Sequence, residues 1–94
     1  MINCGGEKVW SYDVENQIYG MEGIQEVAVV GVKDDIYGEV VGAAIVLKNG
    51  VHYTDTQIQA FLQPKLAKFQ IPKVIQFVSE LPKGIDTVIG DRGI

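Results

Sequence analysis

Two short segments of this sequence have residue types suited to handling a ligand as well as to filling space. The first is Cys4-Gly5-Gly6-Glu7-Lys8-Val9, where paired glycines take positive φ without steric cost and stand beside a carboxylate and an ammonium. The second is the tail Leu81-Pro82-Lys83-Gly84-Ile85-Asp86-Thr87-Val88-Ile89. Each also has a plain structural reading, the first as a tight turn after a strand and the second as a solvated chain terminus. Neither contains GxGxxG or a Walker loop, so neither reads as a phosphate cradle.

Other reactive side chains are scattered. Asp34-Asp35 and the pair Glu7 and Asp13 supply carboxylates, but no nucleophile, base and orienting group stand together at an interpretable spacing. His52 follows the Asn49-Gly50 turn signal and reads as an exposed turn residue. Cys4 reads as a small buried strand residue, since nothing local lowers its pKa. Trp10 and Tyr12 read as packing residues, and one cysteine with one histidine makes a poor metal site.

The elements that position these residues follow from hydrophobic periodicity. Met1 to Cys4 reads as a brief strand ending at the Gly5-Gly6 turn, which leads to a helix with Ser11 as N-cap, Asp13 and Glu15 in its first turn, and Val14 and Ile18 at i, i+4. Gly20 or Gly23 ends it. Val27–Val32 and Val40–Leu47 are β-branched runs that read as central strands, joined by the polar connection Lys33–Glu39, and Val51–Tyr53 is expected to add a short edge strand. Thr54 and Gln57 form a capping box for a second helix, with Ile58, Phe61, Leu62, Leu66 and Phe69 as its apolar stripe and Pro64 as a kink or break. Val74–Val78 is the last strand. The fold class is therefore α+β, in the order β-α-β-β-α-β: two main helices packed on a small mixed or antiparallel sheet of three to five strands.

The chain has 94 residues, 47% hydrophobic and 21% charged, which reads as one globular domain spanning 1–94 with 81–94 as a loose tail. A net charge of −4 and the absence of a basic run argue against nucleic acid as partner. No apolar stretch is long enough for a transmembrane segment, and the lone thiol fits a reducing, cytoplasmic setting.

The run Met1-Ile2-Asn3-Cys4-Gly5-Gly6-Glu7-Lys8-Val9-Trp10-Ser11-Tyr12-Asp13-Val14-Glu15 resembles the start of the C-terminal lid domain of AMP-forming acyl-CoA synthetases and related adenylate-forming ligases. The resemblance continues through Val27–Val32, Asp34, Gly38-Glu39, Val41, Leu66–Lys73, Phe77-Val78 and Leu81-Pro82-Lys83, and so covers essentially the whole chain. It implies a partner, an N-terminal adenylation domain in cis that holds ATP and a carboxylate, over which this domain closes in two orientations. It also implies that Gly5, Gly6, Glu7 and Lys8 form the loop facing the pantetheine arm of CoA or of a carrier protein. ATP, Mg and CoA are implied for the parent enzyme, and none is expected to be held by this chain alone. The family's adenylation lysine falls at Val88, with Thr87 where the family has glycine, so no catalytic residue is assigned and the chain alone is expected to be inactive. A free-standing ferredoxin-like binding or regulatory module, or a non-functional remnant, are the competing readings.

Overall fold

A computed structural model describes residues 1–81. Its strands are β1 (Ile2–Cys4), β2 (Glu7–Val9), β3 (Ile24–Asp34), β4 (Gly38–Leu47) and β5 (Val74–Phe77), and its helices α1 (Ser11–Ile18) and α2 (Asp55–Leu62). A short 3-10 turn covers Lys68–Gln70.

The frame is the antiparallel pair β3–β4, in register from Ile24↔Leu47 to Asp34↔Gly38 with an irregularity between Ile24 and Glu26. Alternate residues of these strands face opposite sides. Ile24, Val27, Val29, Val41, Ala43 and Ile45 meet Val14 and Ile18 of α1 and Ile58 and Leu62 of α2 in the main core. Val32, Val40 and Ala44 form a second cluster on the other face, with Val30, Val74, Val78 and Leu81 packed against it. Two buried faces explain why both strands read as continuous β-branched runs. The rest of the sheet joins β4: β1 pairs antiparallel at Cys4↔Gly38, and β5 pairs parallel from Gly42↔Val74 to Ile45↔Phe77.

Several expectations are refined. The Gly5-Gly6 turn does not lead directly to a helix; it closes a β1–β2 hairpin with Ile2 opposite Val9, adding a strand to the expected order. Ser11 is the first helical residue rather than the cap, because extended Trp10 holds the N-cap position and no side chain caps the helix there. Val51–Tyr53 is not a strand. Val51 lies against Gly23, where an added Cβ would come within 2.7 Å of its Cγ1, and Tyr53 donates its hydroxyl hydrogen to the Glu22 carbonyl at 2.8 Å, so tertiary contacts hold the segment as a loop. The Thr54–Gln57 capping box is present in both directions. Helix α2 stops at Leu62, before Pro64, so Leu66 and Phe69 reach the core from outside the helix. The tail 82–94, with Val88, lies outside the described residues.

Among the described residues strand β3 is a sheet edge, and two of its outward backbone donors are taken by α1 and its C-cap residue. Val29 N–H donates to Glu15 Oε2 at 3.0 Å and Val27 N–H to the Tyr19 hydroxyl at 3.2 Å. An unpaired edge invites pairing with another chain, and these side chains occupy it. Glu15→Ala is expected to cost about 1–3 kcal/mol in urea denaturation, because a half-buried amide loses a charged acceptor, while Glu15→Gln retains most of it.

Candidate functional site

The glycine loop is built by geometry that only glycine adopts readily. Gly5 has φ +56° and Gly6 φ +91°, and the two invert the chain between β1 and β2. Gly5 N–H donates to the Tyr37 carbonyl at 2.9 Å, which pins the loop to the β3–β4 tip. A Cβ on Gly5 would lie 3.1 Å from Tyr37 Cδ1, so the tyrosine ring lies against bare backbone.

The tip is itself ordered from within. Asp34 Oδ2 accepts from Ile36 N–H at 3.0 Å and Tyr37 N–H at 2.8 Å, and Gly38 follows at φ +84°. Only Asp35, Ile36 and Tyr37 lie between the ladder's last pair, so the polar segment expected as a longer connection is mostly strand. That compact turn delivers the half-exposed Tyr37 ring beside Gly5.

A pocket of about 350 Å³ opens at this junction, lined by Cys4, Gly5, Glu7, Tyr37, Val40, Lys68, Phe69 and Lys73. Lys68 and Phe69 come from the 3-10 turn, which is closed by Gln70 N–H donating to Ala67 O at 2.9 Å and by Ala67 N–H donating to Gln70 Oε1 at 2.8 Å. Lys73 enters just before β5, tied by its N–H to Val41 O at 2.9 Å, and its Nζ lies 5.6 Å from the Tyr37 ring centroid. A groove of about 330 Å³ adjoins it along α2, lined by Thr56, Gln59, Ala60, Gln63, Ile71 and Pro72 together with the same Lys68 and Lys73. Two rings, a stretch of bare backbone and two ammonium groups against the single Glu7 carboxylate suit a ligand that combines anionic groups with a flat ring.

Of the loop segment singled out from sequence, Cys4, Gly5 and Glu7 line this pocket. Gly6 sits at the open tip with nothing within 4 Å of an added Cβ, and Lys8 is exposed on the hairpin opposite Asn3. Tyr37, Lys68, Phe69 and Lys73 were not assigned to a site, although Leu66–Lys73 carried part of the resemblance; more than thirty residues separate Gly5 from them or from Tyr37 in sequence. His52 is exposed, as expected, and Cys4 is buried.

Burial pushes the Cys4 thiol pKa up, the Glu39 carboxylate adds to the rise, and Lys73 and a backbone hydrogen bond at Val41 oppose it. Cys4 is thus held as a thiol, and no nucleophilic role follows.

The same fold recurs as a small part of much larger enzymes. A fatty acyl CoA synthetase of Mycobacterium tuberculosis matches 98% of this chain and 19% of its own, with a TM-score of 0.83 and 31% identity. ATP-bound MatB from Rhodopseudomonas palustris matches 96% of the chain and 19% of its own, with a TM-score of 0.85 and 33% identity. These place the chain in the class of acyl-CoA synthetase small domains. The description "AMP-binding enzyme C-terminal domain" fits residues 13–87, and the chain belongs to that family. Among curated relatives, the oxalate–CoA ligase of Saccharomyces cerevisiae is 43% identical over 88% of this chain; the chain spans only 15% of that protein.

The raised Cys4 pKa has a sign that can be checked. The folded state binds the thiol proton more tightly than the unfolded chain, so this contribution to stability is intact below the ordinary thiol value of 9.0 and is lost as pH rises through the folded value. Denaturation midpoints of the wild-type chain are expected to fall more steeply than those of Cys4→Ser as pH rises from 9.0 to the folded value.

Proposed function

We propose that this chain is the lid of an AMP-forming acid–thiol ligase, closing over a large domain that binds ATP and a carboxylate. In this reading its Gly5-Gly6 loop borders the path by which a thiol reaches the acyl-adenylate. The observation that carries the proposal is the placement of the loop against the pocket of Tyr37, Phe69, Lys68 and Lys73. Coenzyme A, which the yeast relative's name includes, combines a thiol on a flexible arm with an anionic nucleotide. Bare glycine backbone accommodates the arm, the lysines face phosphates, and the rings flank the base. The pantetheine arm of a carrier protein shares the first requirement only, so the nucleotide-compatible pocket favours CoA as acceptor.

In the thiol step the sulfur attacks the acyl carbonyl carbon, the carbon–oxygen bond to AMP breaks, and AMP leaves with that electron pair while the thiol gives up its proton. The lid's part is gating and orientation. ATP and its magnesium belong with the large domain. Family membership favours this reading over the free-standing ferredoxin-like module and over a remnant. Val88, at the place of the adenylation lysine by resemblance, supplies no charge to the developing phosphate, so a parent enzyme carrying this lid is expected to be slow in adenylation. A cytoplasmic setting accords with the single free thiol and with CoA as substrate.

Although the resemblance implies CoA only for the parent enzyme, the pocket lies wholly within this chain and is proposed to keep a weak affinity for CoA by itself, so the test is CoA titration of the purified chain by NMR. CoA is expected to shift Gly5, Tyr37 and Phe69 resonances, and Lys68→Glu/Lys73→Glu is expected to weaken binding at least about tenfold, as removal of two charge-assisted contacts predicts. Unchanged affinity in the double variant would remove the pocket from the proposal.

A further inference from the structure

The β1–β2 hairpin that carries the glycine loop is anchored in the main core by Ile2, Cys4 and Val9, but its ladder to the rest of the sheet is short. Its strands have three residues each, and its ladder link to β4 is Cys4↔Gly38. A two-stranded ribbon of this size is marginal by itself, so what ties it down sets where the loop sits. One tie is Gly5 N–H to Tyr37 O. A second polar tie comes from a side chain on β4: Glu39 Oε1 accepts from Asn3 N–H at 3.0 Å. The second oxygen of that carboxylate lies over Gly31 on β3, where an added Cβ would be 2.5 Å from Glu39 Oε2 and 3.0 Å from its Cδ. A missing side chain on one strand thus makes room for a carboxylate that holds the backbone of another.

We propose that Glu39 is a positioning residue for the thiol acceptor: seated over Gly31, it fixes Asn3 and hence the Gly5-Gly6 loop in register with the pocket. This rests on the reading of the pocket as an acceptor site. The alternative effect of Glu39 is purely electrostatic and has the opposite sign. Glu39 acts on the Cys4 thiol at the pocket wall, so its carboxylate opposes an anionic ligand there, and deleting it on charge grounds alone tightens binding. Deleting a tether weakens it.

The experiment compares wild type, Glu39→Gln, Glu39→Ala and Gly31→Ala, each as the 94-residue chain, by CoA titration and by 15N relaxation of Gly5 and Gly6. Glu39→Gln keeps an oxygen acceptor and is expected to bind CoA within about twofold of wild type. Glu39→Ala is expected to weaken CoA at least about fivefold and to lower the order of both glycine amides, since a hydrogen bond to a charged group is lost. Gly31→Ala retains the carboxylate but displaces it and is expected to reproduce the Glu39→Ala behaviour; the double variant Gly31→Ala/Glu39→Ala is expected to be no worse than either. Tighter binding in both Glu39 variants, or unchanged glycine relaxation in Glu39→Ala, would overturn the proposal. If wild type does not bind CoA, the acceptor reading fails, and the relaxation of Gly5 and Gly6 still decides whether Glu39 sets the loop.

Discussion

Everything in this fold hangs on the long β3–β4 hairpin, because its two faces hold both apolar clusters and its tip holds the site. A ladder running from Ile24↔Leu47 to Asp34↔Gly38 aligns Val27 and Val29 with Ala43 and Ile45 on the helix face, and Val32 with Val40 on the other. A shift of one residue would exchange those faces, so the register is strongly specified. With the register set, the three-residue tip has one position, and Tyr37 is delivered to Gly5. The other strands attach along β4: β1 near its start and β5 along its middle.

That arrangement explains how residues far apart in sequence meet. The glycine loop, the hairpin tip, the 3-10 turn and Lys73 all converge near the start of β4. Each is a loop or terminus on a rigid strand frame, where ligand-handling groups are generally found. The pocket needs little burial of polar groups, which suits the lid role proposed for this domain.

Much of this was legible where the determining interactions are local. The Thr54–Gln57 capping box needs only residues three apart, and the Val27–Val32 and Val40–Leu47 runs announce strands buried on both faces. Pro64 stops a helix by its own covalent structure. Strand β2 was not legible because Glu7 and Lys8 are exposed and Val9 alone is buried, so three residues carry no period. Val51–Tyr53 was misread as a strand because its conformation is set by Gly23 and Glu22, roughly thirty residues earlier. The glycine loop could be named from sequence through its family resemblance. The aromatic and cationic side chains facing it could not, since only the fold brings Tyr37, Phe69, Lys68 and Lys73 to Gly5.

The central claim, that this domain serves thiol transfer, is tested most directly by separating the two half-reactions. A relative's large domain joined to this chain is given a preformed acyl-adenylate and CoA, so that the residue at Val88 has no part in the outcome. Formation of acyl-CoA well above the rate of the large domain alone is the result expected, and equal rates with and without this chain would contradict the account.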